Sequence, residues 1–244
     1  MWELAIIAAV FVLAGFVKGI IGLGLPTISM GLLALFMPPV EAAALLVIPS
    51  FLTNVWQMIA GPSLAAAGRR LWPMMAGVCV GTWAGAGLMT GAHARYGTAI
   101  LGVALLVYAL MGLVSLGFAV DRRREPWLGP LVGAVTGLIT AATGVFVIPA
   151  VPYLQAIGLE KEELVQSLGL SFTVSTVALA VNLGAAGALN LQVAGASLGA
   201  LAFAGAGMWA GQALRMSLQP EAFRRWFFAG LLALALYLIA RALI

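Results

Sequence analysis

Apolar residues run in long stretches along this chain, separated by short polar or Gly/Pro-rich breaks. A helix that crosses a bilayer needs about 20 mostly apolar residues, and these stretches reach that length. A first arm extends from about Leu4 to Ile21, Gly22-Leu-Gly-Leu-Pro26 breaks it, and a short second arm continues to Met37. Full spans follow at about 40–60, 71–90 and 97–118. After a polar linker, Asp121-Arg-Arg-Arg-Glu125, the pattern recurs. An arm over about 127–141 is interrupted around Thr140 to Gly144, and a second short arm runs to Ile157. The last spans are expected at about 164–186, 192–213 and 223–243.

The recurrence reads as an internal duplication. Gly15-Phe-Val-Lys-Gly19-Ile-Ile aligns with Gly133-Ala-Val-Thr-Gly137-Leu-Ile. Ser50-Phe51 aligns with Ser171-Phe172, and Gly81-x-x-x-Gly85-x-x-Leu88 aligns with Gly207-x-x-x-Gly211-x-x-Leu214. The offsets are 118, 121 and 126 residues, and the order is kept. Each half therefore has a broken hairpin and three spans. A hairpin returns the chain to its starting side, so each half crosses an odd number of times and the second copy is inverted. Placing Arg122–Arg124 in the cytoplasm also puts Arg69, Arg70, Lys161, Arg215, Arg224 and Arg225 there, nine of the twelve basic residues. Arg95 and Arg241 fall outside, and Lys18 is intramembrane. Counting each broken hairpin as one crossing would move Lys161, Arg215, Arg224 and Arg225 outside, so the positive-inside rule favours inversion. The expected architecture is an all-α polytopic membrane protein of two inverted repeats, each a broken, re-entrant-like helical hairpin plus three transmembrane helices. Residues 1–120 form the first repeat, 121–126 a cytoplasmic basic linker and 127–244 the second repeat. Both termini are expected to be extracytoplasmic.

Composition narrows the function classes. Hydrophobic residues make up 63% of the 244 and charged residues only 8%, against about 25% charged in soluble domains. From Leu164 to Leu214 there are 51 uncharged residues in a row, enough for two spans. Soluble enzymes, nucleic-acid-binding domains and secreted disulfide scaffolds are incompatible with so little polar surface. An outer-membrane barrel would show short alternating segments. The net charge of +4 is explained by topology and gives no nucleic-acid signal. Cys79 is the sole cysteine and lies in an apolar run, so neither a disulfide nor a metal cluster is expected. The Met-Trp-Glu start carries no Lys or Arg, which argues against a cleaved signal peptide.

Two broken helices at matching places in inverted halves point to a transport site. Unwound backbone is tolerated at membrane depth only where it is buried in protein or lines a cavity. Gly22 and Gly24 allow a tight turn, and Pro26 suits a first helical position, with Thr27 beside it. The restarted helix presents free N–H groups, an anion-binding end. Thr140, Thr143 and Gly144 supply hydroxyls and a turn at the equivalent place. Gly15, Gly19, Gly81, Gly85, Gly133, Gly137, Gly207 and Gly211 are read instead as close helix-packing positions. Ser50, Thr53, Asn54 and Gln57 share one helical face, as do Ser167, Ser171, Ser175 and Asn182, and these matching faces are read as lining a path. Lys18 is costly at mid-bilayer and is a candidate counter-charge for an anion. At about 1.5 Å per residue it lies roughly 21 Å into a core about 30 Å thick, so snorkelling to the cytoplasmic interface stays open. His93, beside Arg95, reads as a surface residue, and Glu160-Lys-Glu-Glu163 as a solvated loop or helix start.

The chain resembles the TauE/SafE family of sulfite exporters, also called the 4-toluenesulfonate uptake permease family, over essentially its whole length. The resemblance rests on Gly15-Phe-Val-Lys-Gly-Ile-Ile-Gly-Leu-Gly-Leu-Pro26 and on Gly133-Ala-Val-Thr-Gly-Leu-Ile-Thr-Ala-Ala-Thr-Gly144-Val-Phe-Val-Ile-Pro149. It implies transport of sulfur-containing oxyanions or organosulfonates across a bacterial cytoplasmic (inner) membrane. The expected protein is a secondary transporter for sulfite, or a sulfonate such as sulfoacetate or an aryl sulfonate, held between the two broken hairpins. Expected partners are that small anion, a coupling ion (H+ or Na+) and the lipid bilayer, with a homodimer left open. No cofactor, metal or nucleic acid is called for. No nucleotide-binding motif is present, so an ion gradient or the substrate's own gradient would supply the energy. Transport of another small anion is an alternative, and a non-transport membrane assembly partner is another. An intramembrane enzyme would need a catalytic constellation that one His, one Cys and eight acids, nearly all in loops, do not form.

Overall fold

The computed structural model describes residues 2–90, 96–114, 119–215 and 220–243, and among them every regular element is a helix. In chain order these are α1 (Trp2–Ile21), α2 (Leu25–Leu33), α3 (Pro39–Ile59), α4 (Leu64–Ala84) and α5 (Gly97–Val114). They are followed by α6 (Glu125–Thr143), α7 (Ala150–Ala156), α8 (Lys161–Ala185), α9 (Leu191–Leu214) and α10 (Pro220–Leu243). Seven of these, α1, α3, α5, α6, α8, α9 and α10, are long and apolar enough to cross a membrane. The two short helices, α2 and α7, follow the two breaks. His93 and Arg95 lie outside the described residues.

Most boundaries match the apolar pattern, and two differ for a local reason. The span expected at 71–90 is a helix over 64–84. Leu64, Ala65, Ala66 and Ala67 are strong helix formers, so the helix starts after Ser63 and takes Arg69 and Arg70 into its second turn. It ends at Gly85, and Gly87 follows in the left-handed region. The polar linker is also shorter than its charges suggest. Glu125 already opens α6 and is buried against Arg70, whose Nε and Nη2 donate to its carboxylate at 2.8 and 2.7 Å. At the start of α8, Glu160 and Glu163 form a reciprocal capping box, which satisfies N-terminal N–H groups.

The tightest packing joins α1 to α9 and α4 to α6, and small residues explain it. A Cβ at Gly15 would land on the Ala204 carbonyl, and one at Gly19 on that of Met208. From the other side, Gly207 faces the Val12 carbonyl and Gly211 that of Phe16. In α4 and α6, Gly81 meets Ala134, Gly85 meets Ala141, Gly133 meets Met74 and Gly137 meets Val78. Residue numbers rise together across both seams, so each pair is parallel. In contrast, Gly102 meets Ile239 and Gly112 meets Phe228, which makes α5 and α10 antiparallel. All eight glycines read as packing positions lie in these two seams. Lipid tails give no hydrophobic drive between helices, so backbone approach of this kind carries association.

Helix α3 has an internal proline. Pro49 has no N–H, which leaves the Leu45 carbonyl without its helical donor. Ser197 of α9 fills that gap: its Oγ donates to Leu45 O at 2.7 Å and accepts from Ile48 N at 3.3 Å. The segment carrying Ser50, Thr53 and Asn54 begins directly after this kink. Outward-facing positions such as Trp56, Trp72, Trp83, Val103, Leu131 and Trp209 are apolar and exposed, as a lipid-facing surface requires.

Candidate functional site

Lys18 lies in the last turn of α1 and is 5% exposed. Its Nζ donates to Thr53 Oγ1 at 3.1 Å and to Asn54 Oδ1. The side chain is therefore directed at α3, not toward a surface. Both partners are neutral side chains, and the ion pair of Arg70 with Glu125 lies elsewhere, so no carboxylate accompanies Lys18. The Thr53 hydroxyl in turn donates to the Pro49 carbonyl at 2.7 Å, which fixes it as an acceptor toward Lys18. Asn54 presents its oxygen to Lys18, and its Nδ2 is buried with no partner. Ser50, one turn earlier on the same face, has a buried Oγ with no partner.

Donors are thus in excess here. An ammonium offers three N–H bonds and an amide two, and neither can accept through nitrogen. Two of the Lys18 bonds are used, and the Asn54 amide protons are unused. Burying such groups unpaired is costly, and an acceptor-rich ligand would remove the cost. Ser171 and Ser175 of α8 extend the pattern, each with a buried hydroxyl that has no partner. So does Ser29 of α2, which sequence patterning did not single out. Its only signal was a hydroxyl two residues beyond Thr27 in an otherwise apolar arm.

At the breaks, Gly22, Gly24 and Gly144 all have positive φ, at 74°, 110° and 70°. That region favours glycine, so each turn depends on its glycine. Helix α2 starts at Leu25, which puts Pro26 at its second position rather than its first. The threonines at the breaks are bonded locally. Thr27 donates to Gly24 O at 3.0 Å, and Thr140 to Thr136 O at 2.7 Å. Thr143 donates to Ile139 O at 2.6 Å and accepts from Val145 N at 3.1 Å. Their hydroxyl protons are spent on backbone carbonyls of their own segments. A Cβ at Gly144 would meet Met30 and Ala43, whereas one at Gly24 would meet Val17, Ile28 and Phe227. The two turns therefore face different neighbours.

Two other members of the polar faces hold helices together. Asn182 Nδ2 donates to the Thr82 carbonyl at 2.6 Å, and Gln57 Nε2 to Val165 O at 3.0 Å. Of the residues singled out in the sequence, Lys18, Thr53 and Asn54 are joined directly, with Ser50 on the same face. No group of three or more His, Cys, Asp or Glu residues among the described ones could hold a metal ion. No curated protein and no solved structure is significantly similar to the chain. A family model described as sulfite exporter TauE/SafE matches residues 7–238.

Proposed function

The chain belongs to the TauE/SafE family of sulfite exporters and is a multi-pass membrane transporter, and from that premise we propose that it carries a small sulfur-containing anion across the bacterial cytoplasmic membrane. Sulfite or an organosulfonate, such as sulfoacetate or an aryl sulfonate, is the cargo class. The supporting observation is the buried Lys18 without a carboxylate, beside an Asn54 amide that has donors to spare. An anion placed there would accept from Lys18, Asn54 Nδ2 and Ser50, and would supply the missing negative charge. Ser171 and Ser175 continue the donor-lined path, and the Gly22–Thr27 and Thr140–Gly144 turns provide the irregular backbone that such a path tolerates.

We further propose that the chain is two inverted repeats, 1–120 and 127–244, joined by the basic linker 121–126. Helix pairing supports this. Exchanging α1–α5 with α6–α10 turns the α1–α9 seam into the α6–α4 seam and leaves the α3–α8 and α5–α10 pairs unchanged. The hairpin character of α1–α2 is supported by contacts with α10. Gly24 adjoins Phe227, Gly31 adjoins Leu234, and Arg241 donates to Leu35 O, while Phe16 of α1 meets Phe223. Alternating access would then expose the Lys18–Asn54 site to each side in turn.

The test is ligand-dependent stabilisation of the purified protein against sulfite, thiosulfate, sulfate, sulfoacetate, taurine and an aryl sulfonate. A ligand that binds only the folded state raises the melting temperature by mass action. One member should stabilise wild type and not Lys18→Met, and flux of that anion into proteoliposomes should be lost in the same variant. Full flux in Lys18→Met sinks the reading.

A further inference from the structure

A cavity of about 230 Å³ lies on the side of the molecule that carries Arg70 and Arg122. Ser63, Ala66 and Ala67 bring the first turn of α4 to its wall, and Ser167 of α8 closes it. Ser63 occupies the N-cap of α4 without making a side-chain cap bond. Its own N–H donates to Gln166 Oε1 at 2.9 Å, and Ala66 and Ala67 donate to Ser63 O. That leaves the N–H groups of Leu64 and Ala65, at the positive end of a 21-residue helix, for the cavity. The Ser167 hydroxyl is fully buried and has no partner.

Arg70 is held in place as part of the wall. Its Nε and Nη2 are spent on Glu125 and on the Ile157 carbonyl, and Nη1 belongs to none of these bonds. Arg122 stands exposed at the cavity's edge. The single acidic lining residue is Glu163, whose carboxylate also accepts from Glu160 N at 3.3 Å. The cavity thus offers a helix N-terminus, a buried hydroxyl and guanidinium donors, opposed by one carboxylate. Ser171 and Ser175 follow Ser167 at successive four-residue steps, about 6 Å apart along α8, and both are buried and unpartnered.

We propose that this cavity is a second anion site, which holds a small oxyanion at the mouth of the serine track before it moves inward to Lys18. Its cytoplasmic location and its role in loading cargo rest on the proposed function; the binding itself rests on the cavity alone. The track explains why the second-half serines carry no partners: each is a step between the two sites.

The experiment is a titration of the purified full-length protein with sodium sulfite at constant ionic strength, in a Lys18→Met background that silences the inner site. Sulfite should still bind. Adding Ser167→Ala and Arg122→Gln should weaken that binding at least fivefold. Glu163→Gln keeps the capping box and removes the opposing charge, so it should tighten binding at least threefold, a gain that misfolding cannot mimic. No sulfite binding to Lys18→Met, or binding indifferent to all three substitutions, overturns the second site. Inorganic phosphate binding as tightly as sulfite overturns its role in holding cargo. Failure of the inner-site reading shows separately, as full flux in Lys18→Met.

Discussion

Lys18 donates to the side-chain oxygen of Asn54, and that bond turns the Asn54 amide nitrogen toward a place where no protein acceptor meets it. The two residues are 36 positions apart, on α1 and α3, yet they act as one donor group. A cation that has a neutral partner keeps its charge available to a third party. With a carboxylate partner it would not.

Asn54→Asp tests that difference. The substitution preserves shape and gives Lys18 an internal counter-charge, so the protein should fold with wild-type thermal stability or better. Anion-induced stabilisation should fall by a factor of ten or more, and flux in proteoliposomes should fall with it. Retained binding would show that the free charge of Lys18 is irrelevant.

Gly81→Val should be severe. A Cβ there collides with the Ala134 backbone carbonyl, which cannot move aside as a flexible side chain would. Overpacking costs about 3 kcal/mol, so the α4–α6 seam should open and the unfolding transition in detergent should shift sharply downward. Gly230→Val is the control, because nothing lies within 4 Å of a Cβ there.

Ser197→Ala leaves the Leu45 carbonyl beside Pro49 without a donor. A buried unsatisfied acceptor costs about 1–3 kcal/mol. Denaturant unfolding should report a loss in that range. Ser197→Thr keeps the hydroxyl and should recover most of it.

Removing the carboxylate that grips Arg70 should loosen the start of α6. Glu125→Ala breaks two charge-assisted bonds between residues that are 26% and 9% exposed, and about 1.5–3 kcal/mol is expected. Arg70→Lys should not be benign, since a point charge cannot span the Glu125 carboxylate and the Ile157 carbonyl together. The unfolding midpoints of both variants check this.

Long apolar runs and their punctuation made the ten helices among the described residues largely legible, because in a membrane the span length is set by the bilayer and not by tertiary context. The α4 start was misread since Arg69 and Arg70 look like a loop, although the preceding Leu-Ala-Ala-Ala run favours a helix. The glycine seams were recognisable as packing positions, but not their partners. The site was half legible. Spacing put Ser50, Thr53 and Asn54 on one face, yet nothing local told that Lys18 would turn to that face rather than toward a surface. Asn182 shows the opposite failure: it has the same periodicity, and its amide is spent on Thr82. Which polar groups stay unpaired depends on neighbours distant in sequence, and periodicity carries no such information.

The glycine seams also constrain how the chain is made. Membrane helices insert one by one and associate afterwards. Helix α1 is made well before its seam partner α9, with seven helices between them. Until α9 is made, the groove around Gly15 and Gly19 lacks the backbone that fills it in the folded protein. The first five helices therefore complete their packing only against the second half, since α1, α3, α4 and α5 find their main partners in α9, α8, α6 and α10.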